Sequence, residues 1–386
     1  MANDRRIPAV LSGRARTLTG AVVVAAWMTV SGTATTAVAA PNIHCGDTIF
    51  ADLVANADLT CLGDGLAIGA DDVTLDLGGH TIAGSGTGTG LAVTGRSGVT
   101  VRNGTIADFS TGSPPLGQAG VVADNAPNFT FHHVTTHNTS VAILSSDDAV
   151  VTGATVGGAF DTNFSERVSL TGNRFAGTWT RLANGSQHTI TGNAFDDSDL
   201  VFIESASSQT RDNIFVDARV VVGVVAMAHT IAHNVFTGAG SGVSMADASS
   251  SATVTGNIFQ GSLIGVRPKL PYAFAATVIG HNTFLDAGAA GVLLDGGGGG
   301  TGPLDIRGNT VIGSGHQSGG MTDGAGNTVN DGIHINAPSG SNITITGNHT
   351  ANSEDFGIEA TPGTVIDGGG NTSTGDPNGC LGVTCA

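Results

Sequence analysis

Short runs in which β-branched or apolar residues alternate with small polar ones recur along the chain, as in Thr189-Ile190-Thr191 and Ala252-Thr253-Val254. A period of two puts successive side chains on opposite faces, so each run predicts a strand of about 3 to 5 residues. Gly, Asn and Asp separate the runs and predict turns. No segment carries the 3.6-residue period of an amphipathic helix.

The runs repeat. Aligned on one Asn, the chain reads Thr171-Gly172-Asn173-Arg174-Phe175 and Thr191-Gly192-Asn193-Ala194-Phe195, then the same pattern around Asn213, Asn234, Asn257, Asn282, Asn309 and Asn348. Successive Asn residues are 20, 20, 21, 23, 25, 27 and 39 positions apart. A unit near this length that cannot bury its own apolar face predicts a solenoid, each strand pairing with its copies at about 4.8 Å. The expected fold is all-β, a single-stranded parallel β-helix of about a dozen coils, some 60 Å long. Phe175, Phe195, Phe215, Phe236, Phe259 and Phe284 stand two residues after the Asn and predict an internal aromatic ladder, and the Asn residues a turn ladder. The residue before each Asn is Gly, Asp or His, as a left-handed backbone position prefers, which makes His233 and His281 turn formers rather than ligands. A second column marks another sheet, with its third residue outward: Gly242-Val243-Ser244, Gly265-Val266-Arg267, Gly291-Val292-Leu293, Gly332-Ile333-His334 and Gly357-Ile358-Glu359.

Residues from about 70 to 375 resemble the right-handed parallel β-helix repeat proteins of the pectate-lyase-like superfamily, secreted bacterial members above all. Gly79-His80-Thr81-Ile82-Ala83-Gly84 is similar to a motif of early coils in that superfamily. The handedness is what the resemblance implies. It also implies action on polysaccharides, as lyase, hydrolase or epimerase, in a groove along one sheet, although fold alone does not fix function.

Residues 1–40 carry an Arg-containing start, an apolar run from Leu18 to Val30 and Ala37-Val38-Ala39-Ala40, which together read as a secretory signal peptide. The expected division is residues 41–70 as a disulfide-bearing N-terminal cap, 71–375 as the β-helix and 376–386 as a disulfide-closed tail. Of 14 Lys and Arg and 31 Asp and Glu, the signal holds four Arg and one Asp, leaving 10 against 30, a net −20 for the exported chain. Lys269 is the single lysine, so nucleic acid and anionic membranes are excluded as general partners. No second apolar run suggests a membrane span, and a secreted monomer is expected. Cys45, Cys61, Cys380 and Cys385 allow three pairings; the ends of a long solenoid are too far apart to be bridged, so Cys45–Cys61 and Cys380–Cys385 are expected.

Candidate chemistry gathers where the repeat lengthens, with insertions at Pro268–Ala276, Asp295–Pro303 and Ser314–Asn330, since long solenoid loops mark a binding side. A lyase or epimerase acting on a uronate needs a base for the proton beside the carboxylate and a positive charge to stabilise the resulting anion. Arg267 or His334 is the candidate base, Lys269 is a further candidate catalytic residue, Asp295 and Tyr272 are nearby, and Asp331, Asp355 and Glu359 are candidate ligands for Ca²⁺. An alternative acid pair for hydrolysis is Asp196 or Asp197 with Asp217 one coil on. With Arg267-Pro268-Lys269 this faintly resembles the polygalacturonase set, whose Asn-Thr-Asp and Gly-His-Gly elements are missing here. Strand alternation sends His132 and His133 to opposite faces, and His188 and His229 fall two coils apart, so neither pair is expected to share a metal. The functions in view are a calcium-assisted lyase or epimerase on extracellular uronate polysaccharide and, as the other class, a non-catalytic glycan-binding or surface-structural rod. The only aromatic residues with a polar handle beyond the signal are Trp179 and Tyr272, which disfavours tight binding of neutral sugars.

Overall fold

The computed structural model describes residues 42–112, 118–238, 240–246, 250–271, 275–296 and 302–386; the signal segment and Tyr272 lie outside them. Every element of regular structure in these residues is a strand. Fifteen strands, one per coil, from Thr48–Ile49 to Cys380–Leu381, form one continuous parallel sheet. The remaining strands make the other two faces, and Thr100–Ala107 and Thr130–His137 run unbroken round the corner between them. The chain is therefore a parallel β-helix of about fourteen turns, roughly 65 Å long at the strand spacing.

Coiling begins earlier than the repeat suggests. Thr48 and Ile49 pair with Ala67 and Ile68, and Leu53 and Leu59 pair with Leu75 and Ile82, so the stretch expected as a cap is itself the first coil. The two expected disulfides are present, with Cα separations of 5.6 Å for Cys45–Cys61 and 6.0 Å for Cys380–Cys385. Each ties an end of the solenoid, where a bare edge strand is most prone to fray or to pair with another chain.

The interior is set by two ladders. Phe175, Phe195, Phe215, Phe236, Phe259 and Phe284 stack at centroid distances of 5.0, 4.6, 4.6, 4.7 and 4.8 Å, with planes within 13°. All are buried, and burial of each ring contributes about 1.5–3 kcal/mol. The ladder fixes the glycines of the facing sheet: a Cβ on Gly242 would sit 2.4 Å from the Phe259 ring, and one on Gly265 would sit 2.2 Å from Phe284. In the Asn ladder, the side-chain oxygen of Asn213 accepts from the backbone N–H of Asn193 at 2.8 Å, while its own amide donates to Ile190 O at 2.9 Å. The same contacts run from Asn173 to Asn371. The preceding residues are left-handed, Gly192 at φ 66° and His233 and His281 at 56°, which makes both histidines turn formers.

Candidate functional site

Parallel pairing turns the third residue of the Gly-Val repeat into a row across the fifteen-stranded sheet. Ser244 pairs with Arg267, Leu293 with His334, and His334 with Glu359. Such a row normally faces solvent, but here the insertion before Asn330 folds over it. Met321 and Val329 pack with Ile264, Ala289, Ala290 and Leu293 into a small apolar cluster outside the coil, which leaves the outward-pointing Leu293 buried. That cluster holds the loop down on the sheet and places Asp323 above His334.

Asp323 is a turn residue by chemistry. Its Oδ1 accepts from the N–H groups of Ala325 and Asn327, at 2.9 and 2.8 Å, and its Oδ2 accepts from the Asn327 amide at 2.9 Å. The same Oδ2 lies 3.2 Å from His334 Nε2. On the other side of the ring, His334 Nδ1 is 2.7 Å from Asp331 Oδ2 and 3.1 Å from Glu359 Oε2. Asp331 Oδ1 accepts from the N–H of Phe356 at 3.0 Å. The side chains of Asp323 and Asp331 are fully buried and that of His334 is 2% exposed, whereas Glu359 is 20% exposed.

Three carboxylates around one buried imidazole perturb one another. Burial alone would push the His334 pKa down, but hydrogen bonding to Asp331 and Asp323 outweighs it and the net shift is upward. Burial likewise works to raise Asp323, and hydrogen bonds from Asn327, His334 and Ala325 hold it below the ordinary carboxylate value. Glu359 is pushed up to about 7, first by burial and then by the Asp331 carboxylate, with His334 acting in the opposite sense. The cluster thus concentrates negative charge that a cation would relieve. One potential ligand atom from each of Asp331, His334 and Glu359 lies within 4.8 Å of the others, the one such trio among the described residues.

The cluster opens into a hollow of about 220 Å³ lined by Asp323, His334, Asn336, Glu359 and Thr361. Across the loop wall is a second hollow of about 580 Å³ lined by Asp295, Gly324, Asn336 and Pro338. Asp295 pairs with Asn336 on the sheet, accepts from the N–H of Gly324 at 2.6 Å and lies 3.4 Å from Arg267. Arg267 therefore joins the site through Asp295 rather than by touching His334.

The other candidates lie elsewhere. Asp355 accepts from the Asn378 amide and stays outside the convergent trio, although its charge adds to the upward shift of Glu359. Lys269 is half-buried and lines neither hollow. Asp196 pairs with Arg174, and Asp197 and Asp217 occupy left-handed turn positions at φ 51° and 50°, as Asp286 does at 53°. His132 and His133 depart from the expected alternation: His133 is left-handed at φ 52°, which swings its ring onto that of His132, centroids 3.8 Å apart. His188 and His229 are buried inside the coil. Sequence reasoning missed Asp323, whose only signal is the turn-forming Asp323-Gly324-Ala325-Gly326-Asn327 inside an insertion that has no repeat register. It also missed Asp161, which is buried and paired with Arg181 at 2.6 Å farther along the same row.

A family model described as periplasmic copper-binding protein (NosD) matches residues 77–271, half of the chain. The chain belongs to the NosD family. Membership and the two disulfides place this NosD-family protein outside the cytoplasm. No helix among its described residues is long and apolar enough to cross a membrane. No curated protein matches it. Solved structures similar to it include the catalytic domain of a GH87 α-1,3-glucanase in complex with tetrasaccharides, at 10% identity and TM-score 0.46, covering 87% of this chain and 64% of that one. Others are a Yersinia enterocolitica family 28 exopolygalacturonase, at 10% identity and TM-score 0.39 over 89% and 73% of the two chains, and the A-module of the Azotobacter vinelandii mannuronan C-5 epimerase AlgE4, at 14% identity and TM-score 0.32 over 88% and 91%. This NosD-family chain thus spans less than two thirds of the glucanase domain.

Proposed function

We propose that the protein is secreted and processes uronate-containing extracellular polysaccharide, as a cation-assisted lyase or epimerase working in the two hollows beside the 314–330 loop. The observation that carries this reading is the convergence of Asp331, His334 and Glu359 at the floor of an open pocket, built where the repeat is most extended.

His334 Nε2 faces Asp323 and Nδ1 faces Asp331 and Glu359, so neither nitrogen is aimed at a substrate proton as the base considered from the sequence would be. Its role here is to help hold a cation with Asp331 and Glu359. A divalent cation there would neutralise the uronate carboxylate and acidify the C–H beside it. Arg267 is a permanent planar cation and serves as a clamp on a substrate carboxylate rather than as a base. The proton acceptor is then Asp295, which lines the larger hollow. Leu293 pairs with His334 and Asp295 with Asn336, so Asp295 and His334 are diagonal neighbours roughly 8 Å apart along the sheet, one on each side of the Asp323–Gly324 wall. Net negative charge resists a polyanionic substrate, which makes the cation a requirement of this reading.

The matched segment ends at residue 271, before Asp331, and within it no three His, Cys, Asp or Glu side chains converge among the described residues.

The test is ultraviolet detection of unsaturated product on a panel of uronate polysaccharides, with divalent cation and with chelator, for the wild type and for Asp295→Asn and Arg267→Ala. Product that needs the cation and falls at least a hundredfold in Asp295→Asn supports the lyase form. Silence on every substrate, reducing-end assays included, would leave the non-catalytic glycan-binding rod.

A further inference from the structure

We infer that Asp331, His334 and Glu359 form a three-ligand site for a divalent transition-metal ion, oriented by the Asp323 carboxylate, and that this site is not a calcium site. The inference deepens the reading above by naming the cation of the same pocket, but it does not depend on any glycan being the substrate.

The donor set decides the class of ion. Calcium collects six to eight oxygen ligands, and Asp355, which would have added one, is turned away toward Asn378. The convergent trio offers one imidazole nitrogen and two carboxylates, a combination suited to zinc, manganese, iron or copper(II). All four cysteines are in disulfides, so no thiolate competes for a softer ion.

The surroundings are those of a ligand-holding shell. His334 Nδ1 faces Asp331 and Glu359, while Nε2 faces Asp323, the carboxylate-to-histidine contact that fixes the tautomer of metal-bound histidines. Asp323 cannot wander, because three donors from Ala325 and Asn327 hold it. Asp331 is held from behind by the Phe356 N–H, leaving Oδ2 turned inward. Glu359 is the ligand on the open side, next to the 220 Å³ hollow, where a water or substrate oxygen would complete the coordination. The competing occupant of the same cage is a proton, making His334 an imidazolium clamped by carboxylates.

Chelator-stripped full-length exported protein should be titrated with Zn²⁺, Mn²⁺, Cu²⁺ and Ca²⁺ by calorimetry, with no carbohydrate present. The expected result is one transition ion per chain, Ca²⁺ at least a hundredfold weaker, a loss of at least a hundredfold in His334→Gln and a loss of 10- to 100-fold in Asp323→Asn. Asp196→Asn should leave binding unchanged. If His334→Gln fails to fold, nitrogen hyperfine coupling in the Cu²⁺ electron paramagnetic resonance spectrum of the wild type reads the imidazole ligand directly. Calcium binding as tight as zinc, no stoichiometric ion, or a spectrum without nitrogen coupling would overturn the inference and assign the cage to the proton. Because no substrate is used, that failure is distinguishable from failure of the glycan reading.

Discussion

His188 and His229 should make the middle of the solenoid acid-labile. Both rings are buried in one interior column, with Ser208 on the coil between them. His188 Nδ1 accepts from the Val168 N–H at 3.3 Å and its Nε2 has no partner; His229 stacks on Phe202 at 4.3 Å, with Nδ1 unpartnered. A second proton on His188 would be buried without an acceptor, and a doubly protonated His229, although its Nε2 lies 3.4 Å from Ser205 Oγ, would carry a buried Nδ1 proton with none. Burial lowers both pKa values from 6.5 to about 4, and for His188 the neighbouring His229 adds to the effect. With the folded value below the unfolded one, the unfolded chain binds more protons between those limits. Stability is therefore intact above pH 6.5 and declines as pH falls. At pH 5 each ring costs about 2 kcal/mol relative to pH 7.5, about 4 kcal/mol for the pair. Urea unfolding at both pH values should show the wild type losing about 4 kcal/mol more than the double variant His188→Gln/His229→Gln, in which all other titrating groups cancel. Equal pH dependence of the two proteins would refute the argument.

Four further outcomes follow from the packing of the solenoid. Phe215→Ala, which removes a ring stacked at 4.6 Å on both sides, should lower unfolding free energy by about 3–5 kcal/mol in denaturant melts. Gly265→Ala should destabilise despite adding only a methyl group, because its Cβ would sit 2.2 Å from the Phe284 ring; a Tm equal to wild type would contradict the packing described. Asn234→Ala strips one rung from the Asn ladder and leaves the N–H of Asn213 without its acceptor, at a cost of about 2 kcal/mol or more by urea unfolding. Reduction of Cys380–Cys385, a loop of sequence separation 5, should cost about 2 kcal/mol, against about 3 kcal/mol for Cys45–Cys61 with separation 16, as read from single Cys→Ser melts.

The coil, its two ladders and the disulfide pairing were legible because each rests on a period or a length. The Asn and Phe columns recur at one unit, and a solenoid leaves its four cysteines only local partners. The Gly-Val column also puts His334 and Glu359 at successive outward positions. What escaped has physical causes. The first coil, from Thr48, carries neither the Asn nor the Phe signature, so its strands show only as short apolar pairs. Leu293 reads as an outward residue but is buried, because Met321 and Val329 from the insertion cover it. Asp323 belongs to that insertion, and nothing in a repeat predicts where a non-repeating loop will land. Asp355 stands outside the trio for a related reason: the neighbouring turn offers it Asn378 instead.

The claim that this pocket removes the proton beside a uronate carboxylate is tested most directly by solvent exchange, which reads a lyase and an epimerase alike. Uronate polysaccharides incubated with protein and divalent cation in deuterated water should acquire deuterium at C5 or yield unsaturated ends. Both signals should vanish in Asp295→Asn and in chelator. No exchange and no unsaturation on any uronate polymer, with the folded protein shown to hold its cation, would contradict the account.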